Sequence, residues 1–343
     1  MKTIIKTLLV SIASLSLMFS VNAGELTVNG TAKATYNATS GTQSDNGIGV
    51  TNELNFTASG EMDNGFTWSY SMELDPASGG AANNDDTQIS LTMGDMGTLK
   101  VCVSECGNNK KYGWDASAYT KMTDTGFSEG IVYPGDAGAA STATIQYHTP
   151  ELPFGTKASF AYNSPGADGN SGNATGTSGN SRQEYSLVTA PVDGLTISGH
   201  YNKVNDYEDG VDTEDQLEEG GSWAVKYAAG NLTLGYGESF QAPEALEADR
   251  ASGATTVEYY ENTGYSLGYA LNDAVSVSYT REESVPNYQT SATTSYDIEM
   301  DSVQVAYSMG GATLSIARAD YDNVNYKQNN DVTETIIAMT FAF

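Results

Sequence analysis

Sixteen short segments of period-two hydrophobicity run through this chain, and the connections between them alternate strictly between tight and long. That alternation limits the possible folds more than any other feature. The segments begin with Leu26–Tyr36 and Val50–Ala58, continue through Phe66–Leu74, Ile89–Met93 and Leu99–Val103, and end at Ile337–Phe343. In each, large apolar residues take every second position and polar or small residues fill the gaps. Such a strand has two faces that meet different surroundings. No helical period is sustained, and no fixed-length repeat appears.

The tight connections, such as Met62–Gly65, Gly94–Gly97, Pro191–Gly194 and Gly310–Gly311, carry the residues of hairpin turns. The long ones are polar: Thr39–Gly47, Pro76–Asp86, Ser104–Ser141, Ser164–Arg182, Val204–Gly221, Gln241–Val257, Ser284–Asp297 and Asp322–Val332. A soluble two-sheet sandwich has no reason to sort its loops in this way, and its core would need bulkier residues. An up-and-down meander with both ends on the tight-turn side produces the pattern directly. The reading is an all-β fold, a 16-stranded antiparallel up-and-down transmembrane β-barrel, closed so that no strand edge meets lipid. Tyrosines at the ends of apolar faces (Tyr36, Tyr147, Tyr201, Tyr227, Tyr269, Tyr307) suit rings half in hydrocarbon and half in water. The last segment places Ile337, Met339, Phe341 and Phe343 on the lipid face and is expected to close the barrel against the first strand near Leu26.

Composition agrees. Asp and Glu number 43 against 15 Lys and Arg in 343 residues, a net charge of −28, which argues against a nucleic-acid partner. Only 39% of residues are hydrophobic, with 36 Gly and 22 Tyr, as suits a wet interior. At the N-terminus, Lys2 and Lys6 precede the apolar run Leu8–Phe19 and the small-residue site Val21-Asn22-Ala23. Residues 1–23 therefore read as a secretory signal peptide and 24–343 as the barrel. Losing two lysines and no acid moves the net charge to −30.

Strand parity turns Lys33, Glu53, Glu73, Lys100, Lys157 and Lys226 toward the lumen, and Arg281 and Arg318 outward, at the external rim or an interface. His148 and His200, the only histidines, have inward parity. With no Gly-x-Ser-x-Gly elbow and no HExxH run, they read as polar lumen residues and the chain as no enzyme. Cys102 and Cys106 lie too far apart in a continuous strand for a disulfide but close enough if the chain turns at Ser104-Glu105. Both readings stand. The acidic run Val204–Gly221 is a solvated external loop or, alternatively, a Ca²⁺ site, although its spacing matches no EF-hand loop. No other cofactor is called for.

In its signal peptide, its start Glu25-Leu26-Thr27-Val28-Asn29-Gly30, its sixteen strands, its long third external loop and its terminal Thr-Phe-Ala-Phe, the chain resembles the general porins of Gram-negative bacteria, particularly those of alphaproteobacterial type. The resemblance implies a homotrimer of water-filled barrels in the outer membrane, among lipid and lipopolysaccharide, passing small hydrophilic solutes. It implies that Phe343 is read by the barrel-insertion machinery, and that the loop Ser104–Ser141 folds into the lumen. Glu105, Asp115, Asp124, Glu129 and Asp136 would then oppose Lys110, Lys111 and Lys121 at a constriction, where opposed charges set a transverse field. The charge excess predicts a preference for cations. Two other functions remain open: a channel specific for one sugar or small organic acid, and a structural or adhesive barrel with a plugged lumen.

Overall fold

The computed structural model describes residues 25–42, 45–76, 82–104, 113–124, 142–163, 181–205, 214–243, 245–246, 256–289 and 294–343. The expected signal peptide lies outside them. The first half of the barrel is built from β1 (Glu25–Gly41), β2 (Asn46–Glu61), β3 (Thr67–Pro76), β4 (Ala82–Thr92), β5 (Thr98–Ser104), β6 (Thr142–His148), β7 (Lys157–Asn163) and β8 (Ser181–Val192). The second half comprises β9 (Leu195–Asn205), β11 (Glu219–Ala229), β12 (Leu232–Ala242), β14 (Val257–Ala270), β15 (Val275–Tyr288), β16 (Ile298–Ser308), β17 (Ala312–Asp322) and β18 (Val332–Ala342). All sixteen pair with their neighbours in one closed barrel.

Two short strands fall outside the barrel and outside the sequence expectation. β10 (Glu214–Gln216) and β13 (Ala245–Leu246), from two different external loops, pair as a separate sheet. They are too short to show any period. The barrel strands also run further on the external side than their apolar alternation does: β15 reaches Tyr288 and β9 reaches Asn205. Backbone pairing needs no hydrophobic face once the strand has left hydrocarbon.

Alternation sets the register everywhere. In β18, Ile337 is 41% exposed on the outer face, while Ile336 and Ala338 are 3% and 0% exposed on the inner one. The tight turns are held by backbone geometry. Gly194, between β8 and β9, has φ of 76°, and a Cβ there would overlap the carbonyl oxygen of Ala228. Closure joins β1 to β18, with Thr31 opposite Ala342. The Phe343 amide donates to Gly30 O at 3.0 Å, and the Gly30 amide donates to Phe343 O at 2.8 Å. The closing contact is therefore four residues beyond the Leu26 expected from sequence, and Leu26 pairs only with Ala58 of β2.

The outer face carries two bands of aromatic residues. One, toward the tight turns, includes Tyr227, Tyr269 and Tyr307. In the other, rings of adjacent strands touch: Tyr185 with Phe160 and Tyr201, and Tyr236 with Trp223 and Tyr265. The polar tips of this second band point away from the apolar zone. Tyr185 donates to Gln183 Oε1 at 3.1 Å, Tyr201 to Glu219 Oε1 at 2.8 Å and the Trp223 indole to Glu238 Oε2 at 3.1 Å. Tyr236 and Tyr279 donate to Glu238 and Asp301. Arg281 pairs with Glu299 and Asp301, and Arg318 with Asp320, on the same outer face and toward the long loops. Charges at this height meet headgroups rather than acyl chains.

Candidate functional site in the barrel interior

Residues 113–124 lie against the inner wall and cross it from β12 to β17. The segment has little secondary structure beyond the single 3-10 turn Met122–Asp124. Its backbone groups must therefore find partners on the wall, and the wall supplies them. Ser266 Oγ donates to Trp114 O at 2.8 Å, and the Ala118 amide donates to Ser278 Oγ at 2.8 Å. Gln304 Oε1 accepts from the Tyr119 and Thr120 amides at 2.9 and 3.1 Å, while its Nε2 donates to Thr120 O at 2.7 Å. Tyr321 Oη donates to Met122 O at 3.2 Å. Lys226, from β11, donates to Asp115 O at 3.4 Å.

Missing side chains make room for the segment. Trp114 is only 2% exposed and sits over inward-facing glycines of β12 and β14. A Cβ at Gly235 would overlap the Trp114 carbonyl oxygen, and one at Gly237 or Gly264 would overlap its indole ring. At Gly268 the obstacle would be Ala116 O, at 2.7 Å.

Lys121 is the electrostatic anchor. Its ammonium pairs with Glu282 of β15, with side-chain exposures of 3% and 0%. Thr123 Oγ1 stands 3.0 Å from the same carboxylate, and the Trp114 ring centroid is 5.5 Å from Nζ. A buried ion pair is tolerable only when its remaining groups are hydrogen-bonded, and here they are. Further along, Met122 enters an apolar cluster with Ile298, Met300, Ala319, Tyr321 and Ile336. The interior expected to be wet is thus partly dry under this segment. Glu334, 1% exposed beside the cluster, accepts from Asn37 at 3.0 Å and from Tyr321 at 3.3 Å. The Tyr119 hydroxyl is held above its ordinary pKa, first by burial and then by the nearby Glu334 carboxylate.

Of the sequence candidates, Lys33 and Glu53 stand at inward-facing positions of the β1–β2 register, with Thr31 Oγ1 donating to Glu53 at 3.3 Å. Glu73, Lys100 and Lys226 share inward-facing registers as well. Lys157 has the same parity but stands at the tight-turn end, exposed and 3.8 Å from Glu151. Asp115 accepts from Ser117 Oγ at 2.7 Å, so its carboxylate organises the segment itself. Lys121 is buried against the wall and does not face open solvent. Asp124 closes the 3-10 turn. Glu105, Lys110, Lys111, Glu129 and Asp136 lie outside the described residues. Cys102 is buried and disulfide-bonded, and no described cysteine is free; Cys106 lies outside the described residues. His200 is fully buried against Glu184, Nε2 to Oε1 at 2.7 Å, and His148 pairs with Gln146. Residues 206–213 of Val204–Gly221, with four of the run's eight acidic residues, also lie outside the described residues. Among those described, no group of three or more His, Cys, Asp or Glu is placed to hold a metal ion.

Reading the sequence for charge passes over Trp114, Gln304, Tyr321 and the glycines. The available signal is that inward positions of β12 and β14 alternate Gly235, Gly237, Gly264 and Gly268 with large outward residues. Empty positions in a strongly alternating strand mean that another part of the chain approaches closely.

The family model for Gram-negative porins matches residues 9–343. No curated protein matches the chain. Among solved structures, Salmonella typhi OmpF in complex with daunomycin is 13% identical, with a TM-score of 0.69 over 94% of this chain and 98% of that one. The trimer form of OmpT from Vibrio cholerae is 12% identical, with a TM-score of 0.69 over 94% and 100%. An anion-selective porin from Comamonas acidovorans is 13% identical, with a TM-score of 0.63 over 93% and 100%. The alphaproteobacterial type is not singled out by these matches.

Proposed function

This chain belongs to the Gram-negative porin family, and from that premise we propose that small hydrophilic solutes and ions diffuse passively through its lumen, with cations preferred. It is a channel of the outer membrane. One observation carries the finer reading: the described inserted segment lies along β12 to β17, while on β1 and β2, beyond it, Glu53 stays exposed and Lys33 half-exposed. A plug would be expected to cover both.

The preference for cations rests on the net charge of −28 and on the long external loops, which hold much of the acidic excess. Within about 8 Å at physiological salt, mouth carboxylates raise the local cation concentration. The fold does not set the sign, because an anion-selective porin shares it. Ca²⁺ on the acidic loops belongs to the same proposal. Catalysis is no part of the proposal.

A homotrimer fits the outer face. On the outward face of β1 to β6, Ile48, Val50, Leu99, Val101 and Ile145 present exposed aliphatic side chains, with Tyr36 and Tyr147 beside them. The third-loop constriction, contact with lipopolysaccharide and recognition of Phe343 by the insertion machinery complete the reading. Reversal potentials of the purified protein in a KCl gradient test it. K⁺ preference that weakens as salt rises is expected; Cl⁻ preference at low salt would mean that wall lysines dominate.

A further inference from the structure

On the outer face of β9, β11 and β12, two outward positions lack side chains. Gly199 stands opposite Trp223, and Gly221 stands between Tyr201 and Phe240. The hollow among these rings is a cavity of about 570 Å³, within the range of small-ligand sites, about 300–1,000 Å³. A second cavity, of about 740 Å³, adjoins it toward the long loops and shares Phe240 and Glu261 with it. An entering group can reach the walls, since Tyr201, Trp223 and Phe240 are 36%, 44% and 36% exposed.

Carboxylates stand around the aromatic walls. Glu238 and Glu261 line the first cavity, and Glu219, Glu258 and Glu261 line the second. No lysine or arginine lines either one; Lys203, opposite Glu219 in register, is outside both. Glu219 accepts from Tyr201 and Glu238 from Trp223, so the rings hold two of the acids in place. The Glu258 and Glu261 carboxylates take no hydrogen bond or ion pair among the described residues. In the closed strand order this face lies opposite β1 to β6, the side assigned to neighbouring subunits, which leaves it to lipid. We infer that the double cavity is a docking site for a lipid of the surrounding leaflet whose headgroup carries an ammonium group. The inference rests on the place of the barrel in a membrane and is independent of what the lumen passes.

The chemistry selects that class. An ammonium group is attracted both by the carboxylates and by the faces of the rings. An anionic headgroup would meet acids with no base lining the cavities to offset them. A metal ion needs ligands gathered at about 2.3–2.6 Å, and among the described residues no group of three or more acids is placed to hold one. An organic cation, with its charge spread over a larger group, suits carboxylates set this far apart. Acyl chains have a place as well. From the cavities toward the tight turns, β12 and β14 expose Leu234, Tyr265 and Leu267 on the same face. The chains of a bound lipid would stay in hydrocarbon there while its headgroup lies at the height of the aromatic band.

The test is native mass spectrometry of the purified full-length protein, titrated in detergent with dioleoyl trimethylammonium propane and, separately, with dioleoyl phosphatidylglycerol, which has the same chains. Wild type is expected to bind one trimethylammonium lipid per barrel about fivefold more tightly than phosphatidylglycerol. Trp223→Leu keeps the charge and an apolar side chain but removes the ring, and it should weaken that binding about threefold. Glu261→Gln should weaken it by a similar factor, and neither variant should change the binding of phosphatidylglycerol. Glu53→Gln removes an exposed carboxylate from the inner face and should leave the ammonium lipid bound as in wild type. Equal binding of the two lipids, or a preference unchanged in both Trp223→Leu and Glu261→Gln, overturns the inference. A preference lost equally in Glu53→Gln would be an effect of overall charge and overturns it too. Pentalysine bound in place of lipid, and lost in the same two variants, would assign the cavities to a cationic peptide instead. Phe240→Leu, assayed by the same titration, substitutes for either variant if it does not fold.

Discussion

On the inner face of β14 to β17, Ser266, Ser278 and Gln304 spend their hydrogen bonds on residues 113–124; on the inner face of β1 and β2, Thr51 and Glu53 meet solvent. Both walls obey the same alternation, and both are polar in sequence. The difference is in what the polar groups are for. One wall completes the hydrogen bonding of an irregular strand of chain, and its charges are matched and dry. The other has no such duty, so its charges are free to act on passing solutes. Polarity on an inward face therefore does not by itself mark a residue as part of the conduction path.

Substitutions of matched chemistry on the two walls should separate these roles, and the largest effect should come from the buried pair. Glu282→Ala leaves Lys121 uncompensated, at a cost of about 3–5 kcal/mol. Residues 113–124 should leave the wall, with higher conductance and new protease cleavage within the segment. Glu53→Ala should do neither; if Glu282→Ala leaves the segment protected, the anchor has been misassigned. Next comes Gly235→Val, whose side chain would overlap the Trp114 carbonyl, with an overpacking cost of about 1–3 kcal/mol. Its thermal midpoint should fall and its current noise rise, whereas Thr51→Val should change neither.

A smaller effect is expected on the outer face. Tyr236→Phe removes the hydroxyl bonded to Glu238, worth about 1 kcal/mol, and should lower the thermal midpoint slightly without touching conductance. Lys33→Ala should have the least effect on stability, within about 0.5 kcal/mol. Its reversal potential should nonetheless move toward stronger K⁺ preference. If Lys33→Ala destabilised the barrel while leaving selectivity unchanged, the contrast between the walls would collapse.

The strands were legible because lipid on one side and a polar interior on the other write a period of two into every segment, as in Leu232 to Ala242. Closure was legible in outline from Ile337 to Phe343, but its register was not. The slide from Leu26 to Gly30 preserves the inward and outward assignment of every residue, so hydrophobicity cannot sense it. The site was legible where it is made of charge on a strand, as at Lys33 and Glu53. It was not legible at Trp114, whose environment is created by glycines more than a hundred residues later in the chain. Nor could parity foretell that Lys121 would be neutralised by Glu282, since pairing across the barrel depends on where the segment comes to rest.

The mutual hydrogen bonds of Gly30 and Phe343 set a rule for biogenesis. Until β18 arrives, β1 has an unpaired edge, and such an edge in hydrocarbon costs several kcal/mol for each bare backbone group. The seam joins residues near opposite ends of the chain, so it is among the slowest contacts to find. Hydrocarbon then tolerates the sheet only once both partners of the seam are present, which makes closure of β1 on β18 an all-or-none event.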